Sequence, residues 1–71
     1  MEDFSASRLR EARVATGLNQ LHFSERLGIN MRTLRRYESG HGTPNARHLK
    51  RICEVTGKPL DFFFSSEGTP S

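Results

Sequence analysis

Apolar residues along this chain come in short clusters divided by glycine and proline. Breaks fall at Gly17, Gly28, Gly40 with Gly42, Pro44, Gly57, and Gly68 with Pro70. The segments between them are roughly 8 to 14 residues long, lack period-two alternation and hold few β-branched residues, which favours helix over strand. A first helix is predicted from about Ser5 to Thr16, with Leu9, Ala12 and Thr16 on one face. Asn19 is a good N-cap for a second over Gln20 to Leu27, whose inward stripe is Phe23 and Leu27 with the small Ser24 beside them. Gly28 ends it in a left-handed conformation, and Asn30 caps a third helix from Met31 to about Ser39. Thr43-Pro44-Asn45 offers two starts for a fourth, because Thr or Asn can cap and proline is tolerated in a first turn. Leu49, Ile52, Cys53 and Thr56 then follow the i, i+3, i+4, i+7 repeat until Gly57 stops it. Pro59 to Phe64 predicts a last short helical turn. The pattern therefore predicts an all-α, compact bundle of four to five short helices over residues 1–64. Residues 65–71 carry no apolar anchor and read as a flexible tail or linker.

Composition narrows what such a bundle can do. With 71 residues the chain buries only ~60% of its unfolded surface, so there is one core and function sits on the outside. The hydrophobic fraction of 34% makes that core lean, while a charged fraction of 27% is ordinary and excludes a disordered polyelectrolyte. No apolar stretch approaches the roughly 18 residues of a membrane span, and Met1-Glu2-Asp3 does not open a signal peptide, so a soluble cytoplasmic location is expected. Cys53 is the sole cysteine and cannot form an internal disulfide. His22, His41 and His48 do not stand at metal-ligand spacings, and neither a metal nor a cofactor is expected. An enzyme is disfavoured as well: no nucleophile and base lie together, no glycine loop is built to cradle phosphate, and so small a shell encloses little.

Charge changes the picture more. The formal net charge is +3, but residues 26–51 hold Arg26, Arg32, Arg35, Arg36, Arg47, Lys50 and Arg51 against Glu38 alone. The rest of the chain is net acidic. Nine of the eleven cations are arginine, whose planar fork suits phosphate oxygens and the guanine edge better than a lysine point charge does. A polyanionic partner is the expectation.

The second and third helices, joined by Leu27-Gly28-Ile29-Asn30, form a helix-turn-helix. With Met31 at zero and about 100° per residue, Arg35, Arg32 and Arg36 fall within an arc of roughly 140°, and Leu34 and Tyr37 fall on the far side. One face thus packs into the bundle and the other gathers three guanidinium groups. Like charges at i, i+3 and i+4 repel by a few tenths of a kcal/mol per pair, a cost that a polyanion relieves.

Gly17-Leu18-Asn19-Gln20, Phe23-Ser24, Leu27-Gly28-Ile29, Thr33-Leu34, Tyr37-Glu38-Ser39-Gly40, Pro44 and Gly57-Lys58-Pro59-Leu60-Asp61 together resemble the phage repressor and Cro-type (XRE-like, lambda-repressor-like) helix-turn-helix family. The match covers roughly residues 8 to 64. The resemblance implies a five-helix all-α domain that binds pseudo-palindromic operators in double-stranded DNA as a dimer and mostly represses transcription. It implies base contacts from the first, second and sixth positions of the third helix, here Met31, Arg32 and Arg36; arginine pairs bidentately with guanine O6 and N7, while Met31 departs from the usual polar residue and either contacts a thymine methyl or only covers the helix end. Arg35 reaches either a base or a phosphate. Phosphate contacts are implied for Asn19, Gln20, His41, Thr43 and Asn45, with Arg10 a further candidate. Gln20 has independent support, since a helix start presents free N–H groups to an anion. His41 stands where lysine is common, so its contribution is expected to grow in mild acid.

The resemblance also pairs Arg13 with Glu38 in a partly buried structural salt bridge. Thr56 and Lys58 depart from the family pattern, which has apolar residues there, and predict that the C-terminal half either packs loosely or buries its surface elsewhere. Phe62, Phe63 and Phe64 cannot all face inward in so small a domain: either at least one enters a homodimer contact, or two anchor the core and the third is half-exposed. A rival reading on the same fold is an antitoxin or other protein-interaction module whose partner is a toxin or a fused effector domain.

Overall fold

A computed structural model describes residues 3–64. Helix α1 spans Ala6–Thr16, α2 Gln20–Leu27, α3 Met31–Ser39 and α4 Ala46–Thr56, followed by a short 3₁₀ helix at Leu60–Phe64. No strand occurs among the described residues. The fifth helix implied by the family resemblance is thus not an α-helix. Phe62 N–H bonds to the Pro59 carbonyl at 3.1 Å, the i to i+3 closure of a 3₁₀ turn. Five residues, three of them consecutive phenylalanines placed by packing, do not sustain an α-helical repeat. The tail expected at 65–71 lies outside the described residues.

Each α-helix begins in the same way. The Oγ of Ser5 accepts from Arg8 N, and the Oδ1 atoms of Asn19, Asn30 and Asn45 accept from the N–H groups of His22, Thr33 and His48 at 2.8–2.9 Å. Such caps satisfy donors that the helix itself leaves open. Of the two possible starts for α4, Asn45 is the cap, and Pro44 is buried just outside it. The turn between α2 and α3 is a Schellman motif: Gly28 N–H bonds to Glu25 O and Ile29 N–H to Ser24 O. Gly28 sits at φ 75°, where a side chain is strained, so glycine is the residue the turn requires. Ile29 then packs against the core and fixes the departure of α3.

Leu9 and Ala12 of α1, Phe23 and Leu27 of α2, Leu34 and Tyr37 of α3, Ile52 of α4 and Phe63 form the buried centre. Every element contributes to it. Ser24, the one buried polar residue among those described, donates to Leu21 O at 2.7 Å and lets α2 approach closely without an unpaired hydroxyl. Thr56 and Lys58, the two positions that depart from the family pattern, each have a local partner. Thr56 Oγ1 donates to Ile52 O at 2.6 Å, and the Lys58 ammonium lies 5.1 Å from the Phe62 ring centroid, its half-buried stem covering the aromatic end of the core.

Phe63 has no exposed surface, and its carbonyl accepts from Ser5 N at 2.7 Å, joining the start of α1 to the end of the 3₁₀ helix. This removes Phe63 from the candidate dimer contact, because a fully enclosed ring has nothing to offer a second chain. Phe62 and Phe64 are half-buried, with Arg8 stacked 4.7 Å from the Phe62 centroid. Among the described residues no helix is long and apolar enough to cross a membrane.

Candidate nucleic-acid interface

Helix α3 is anchored along one side and open along the other. Leu34 is completely buried and Tyr37 nearly so, while Arg32, Arg35 and Arg36 are exposed. None of the three arginines makes a salt bridge within the described residues; Glu38 is held by Arg13 and Glu54 by Arg51. The three guanidinium groups thus share an exposed face that holds no carboxylate partner among the described residues. Met31, at the start of α3, is half-buried.

Two ties set the position of this helix. On the α1 side, Arg13 Nε donates to Glu38 Oε2 at 2.7 Å, with side-chain exposures of 13% and 4%. A second Arg13 nitrogen donates to Leu18 O at 3.0 Å, and Gln20 Nε2 donates to the other Glu38 oxygen at 3.1 Å. One carboxylate therefore binds α1, α2 and α3 together. On the α4 side, the Tyr37 hydroxyl and His48 Nδ1 are 2.7 Å apart in a hydrogen bond. Burial pushes the Tyr37 phenol above its ordinary range, and nearby Arg36 offsets part of that rise.

The α1–α2–α3 junction opens into a polar recess lined by Arg10, Asn19, Gln20, Leu21 and Arg35, with Glu38 at its floor. The structure thus brings Arg10, Asn19, Gln20 and Arg35 to one place. Asn19 spends its Oδ1 on the α2 cap and keeps its amide N–H groups for an acceptor. Leu21 is 48% exposed on the same rim. Sequence reasoning passed over it, although an apolar residue next to Gln20 and outside the Phe23–Leu27 stripe was the available signal.

His41, Thr43 and Asn45 lie apart from the recess, exposed along the connection from α3 to α4. Gly40 ends α3 in the left-handed region, and His41 N–H closes back on Arg36 O at 2.9 Å. Arg36 reaches over this turn, its NH2 donating to His41 O at 3.2 Å, and Ser39 Oγ meets His41 Nδ1 at 2.7 Å. The loop is therefore shaped by the same helix whose arginines face outward. Asn45, like Asn19, caps through oxygen and leaves its amide nitrogen free.

Cys53, half-buried on α4, is held as a thiol: burial raises its pKa, with Glu54 adding to the effect. No group of three or more His, Cys, Asp or Glu residues among those described is placed to hold a metal.

A small helical domain that exposes an unpaired arginine face on the second helix of a helix-turn-helix belongs to the class of DNA-binding domains. A family described as helix-turn-helix matches residues 9–63, and the chain belongs to it: it is a member of the phage repressor and Cro-type family of DNA-binding transcriptional regulators. It is 34% identical over 58 residues to uncharacterised HTH-type transcriptional regulators of Sinorhizobium medicae and Rhizobium meliloti. The match takes in 82% of this chain and 42% of each relative, so the chain spans less than half the length of those proteins. Its fold is similar to that of the P22 c2 repressor in complex with synthetic operator 9T, with a TM-score of 0.82 at 15% identity over 92% of this chain and 98% of that one. The solution structure of the P22 c2 repressor DNA-binding domain, residues 1–76, gives 0.81 at 14% identity over 97% and 91%.

Proposed function

We propose that this chain is a sequence-specific regulator, a repressor in sense, that inserts α3 into the major groove of a pseudo-palindromic operator as a homodimer. The observation that carries this reading is the exposed, carboxylate-free arginine face of α3 opposite its buried Leu34–Tyr37 side. Arg32 and Arg36 read guanine edges, and Met31 covers an adjacent base. Arg35, beside Arg10 in the recess, takes a phosphate. Asn19, Gln20, His41, Thr43 and Asn45 supply the remaining backbone contacts, which set register rather than sequence. Residues 1–64 act as the DNA-binding unit, working on the nucleoid in the cytoplasm.

Two protomers pair along the 3₁₀ helix, where Phe62 and Phe64 are half-buried and Leu60 is 53% exposed. The half-sites then lie about one helical turn, ~34 Å, apart on one face of the duplex. Selection from a random duplex library tests the reading. Enriched two-fold-related sites with guanines support it, and Arg32→Ala relaxes choice at one base pair of each half-site. Affinity falls about 10³-fold between 50 and 200 mM salt if roughly six phosphates are neutralised. Failure to enrich any sequence, or a flat salt response, refutes it.

A further inference from the structure

We propose that Glu38 is a positioning residue for DNA binding: through the Gln20 amide it sets a phosphate donor at the mouth of the α1–α2–α3 recess. The inference rests on the DNA-binding reading above and gives Glu38 a task beyond neutralising Arg13. Its basis is the division of labour around one carboxylate. Oε2 takes Arg13 Nε at 2.7 Å, Oε1 takes Gln20 Nε2 at 3.1 Å, and the Glu38 side chain is only 4% exposed.

An ionised carboxylate only accepts, so the Gln20 amide must face it with nitrogen rather than oxygen. The amide group is planar, and its nitrogen carries two protons. With one committed to Glu38, the direction of the other is fixed, and Gln20 lines the recess together with Arg10 and Arg35. A phosphate oxygen also only accepts. A glutamine free to rotate would present its carbonyl there part of the time, and the bond to Glu38 removes that orientation. Because the acceptor is charged and shielded, this bond is stronger than one between neutral groups. Arg13 completes the arrangement by holding Glu38 in place, its second nitrogen bonded to Leu18 O at 3.0 Å. The order Arg13, Glu38, Gln20, phosphate is thus a chain of donors and acceptors running from α1 to the duplex.

The test measures what Gln20 contributes with and without its anchor. Binding to a mixed-sequence 24-base-pair duplex at 50 mM salt suffices, since a phosphate contact does not depend on sequence. Gln20→Ala is compared with its parent in wild type and in the background Arg13→Met with Glu38→Leu. That background removes the carboxylate without stranding a buried guanidinium, and apolar replacement of a buried pair often preserves folding. The expected loss is about fivefold in wild type, the scale of one hydrogen bond, and close to none in the apolar background. Equal losses in both would show that Gln20 is placed without Glu38, and no loss in either would show that Gln20 does not meet the duplex; each overturns the proposal. Should the apolar background not fold, the Gln20 side-chain amide in wild type decides by NMR. One proton protected from solvent exchange before duplex is added and the other shifting on addition are expected; both protons exchanging at the rate of a free glutamine amide refute the anchor. If wild type itself binds no duplex at 50 mM salt, the DNA-binding reading fails, which is a different result from equal losses in the two backgrounds.

Discussion

Replacing Glu38 with alanine tests the interior of this domain most directly. The Glu38 side chain is 4% exposed and its removal strands Arg13, a guanidinium 13% exposed, with Leu18 O as its one remaining partner among the bonds described. Breaking a buried pair from one side costs about 3–5 kcal/mol, mostly for the charge left behind. The Leu18 bond persists and Arg13 retains some access to water, so the lower end applies, about 3 kcal/mol. A domain of this size has a total stability of order 5 kcal/mol, and each kcal/mol shifts its melting point by about 4–8 °C. Glu38→Ala should therefore melt some 12–24 °C below wild type. Thermal denaturation followed by circular dichroism gives the answer. The exposed Arg51–Glu54 pair, about half exposed at both ends, is the control. Removing Glu54 should change the melting point by no more than a few degrees, because surface pairs contribute ~0–1 kcal/mol and are screened by salt. A Glu38→Ala midpoint within experimental error of wild type would mean that water reaches the pair freely.

Three other outcomes follow from the same geometry. Gly28→Ala should cost about 1–2 kcal/mol, because φ is 75° and alanine resists that region although nothing crowds the added carbon; a chemical melt checks it, and an unchanged midpoint would place the turn outside the left-handed region. Burial raises the Tyr37 pKa, so the unfolded chain releases its phenolic proton first, and the stability present below the ordinary tyrosine value of ~10 is lost as pH climbs toward the folded value. As Tyr37 is the sole tyrosine, tyrosinate absorbance during an alkaline titration reports it directly, and ionisation at the free-tyrosine pH would refute the burial argument. Sedimentation of Phe64→Asp beside wild type tests pairing near the 3₁₀ helix: a dimeric wild type and a monomeric variant are expected, and identical behaviour removes that contact.

The fold was legible because its signals are local. Asn19, Asn30 and Asn45 each cap the helix they precede, and Gly17, Gly28, Gly40 and Gly57 each end one, so helix limits could be read within a residue or two of where they fall. The placement of the arginines on α3 was equally readable, since it depends only on helical period. Relations between distant residues were not readable from local pattern: the Arg13–Glu38 pair came only with the family resemblance, and the two other ties not at all. Gln20 and Glu38 are 18 positions apart and Tyr37 and His48 are 11, and nothing in either neighbourhood announces the bond. The partner of Thr56 is local: a threonine hydroxyl in a helix can turn back onto its own backbone, and here it does.

The two fastenings of α3, the Glu38 carboxylate toward α1 and the Tyr37–His48 hydrogen bond toward α4, fix the roll of that helix about its own axis before any duplex arrives. A small rotation swings the tip of an arginine much further than it moves the backbone. On the DNA-binding mode proposed above, base preference therefore drifts through substitutions at positions that never touch a nucleotide, His48 and Arg13 among them.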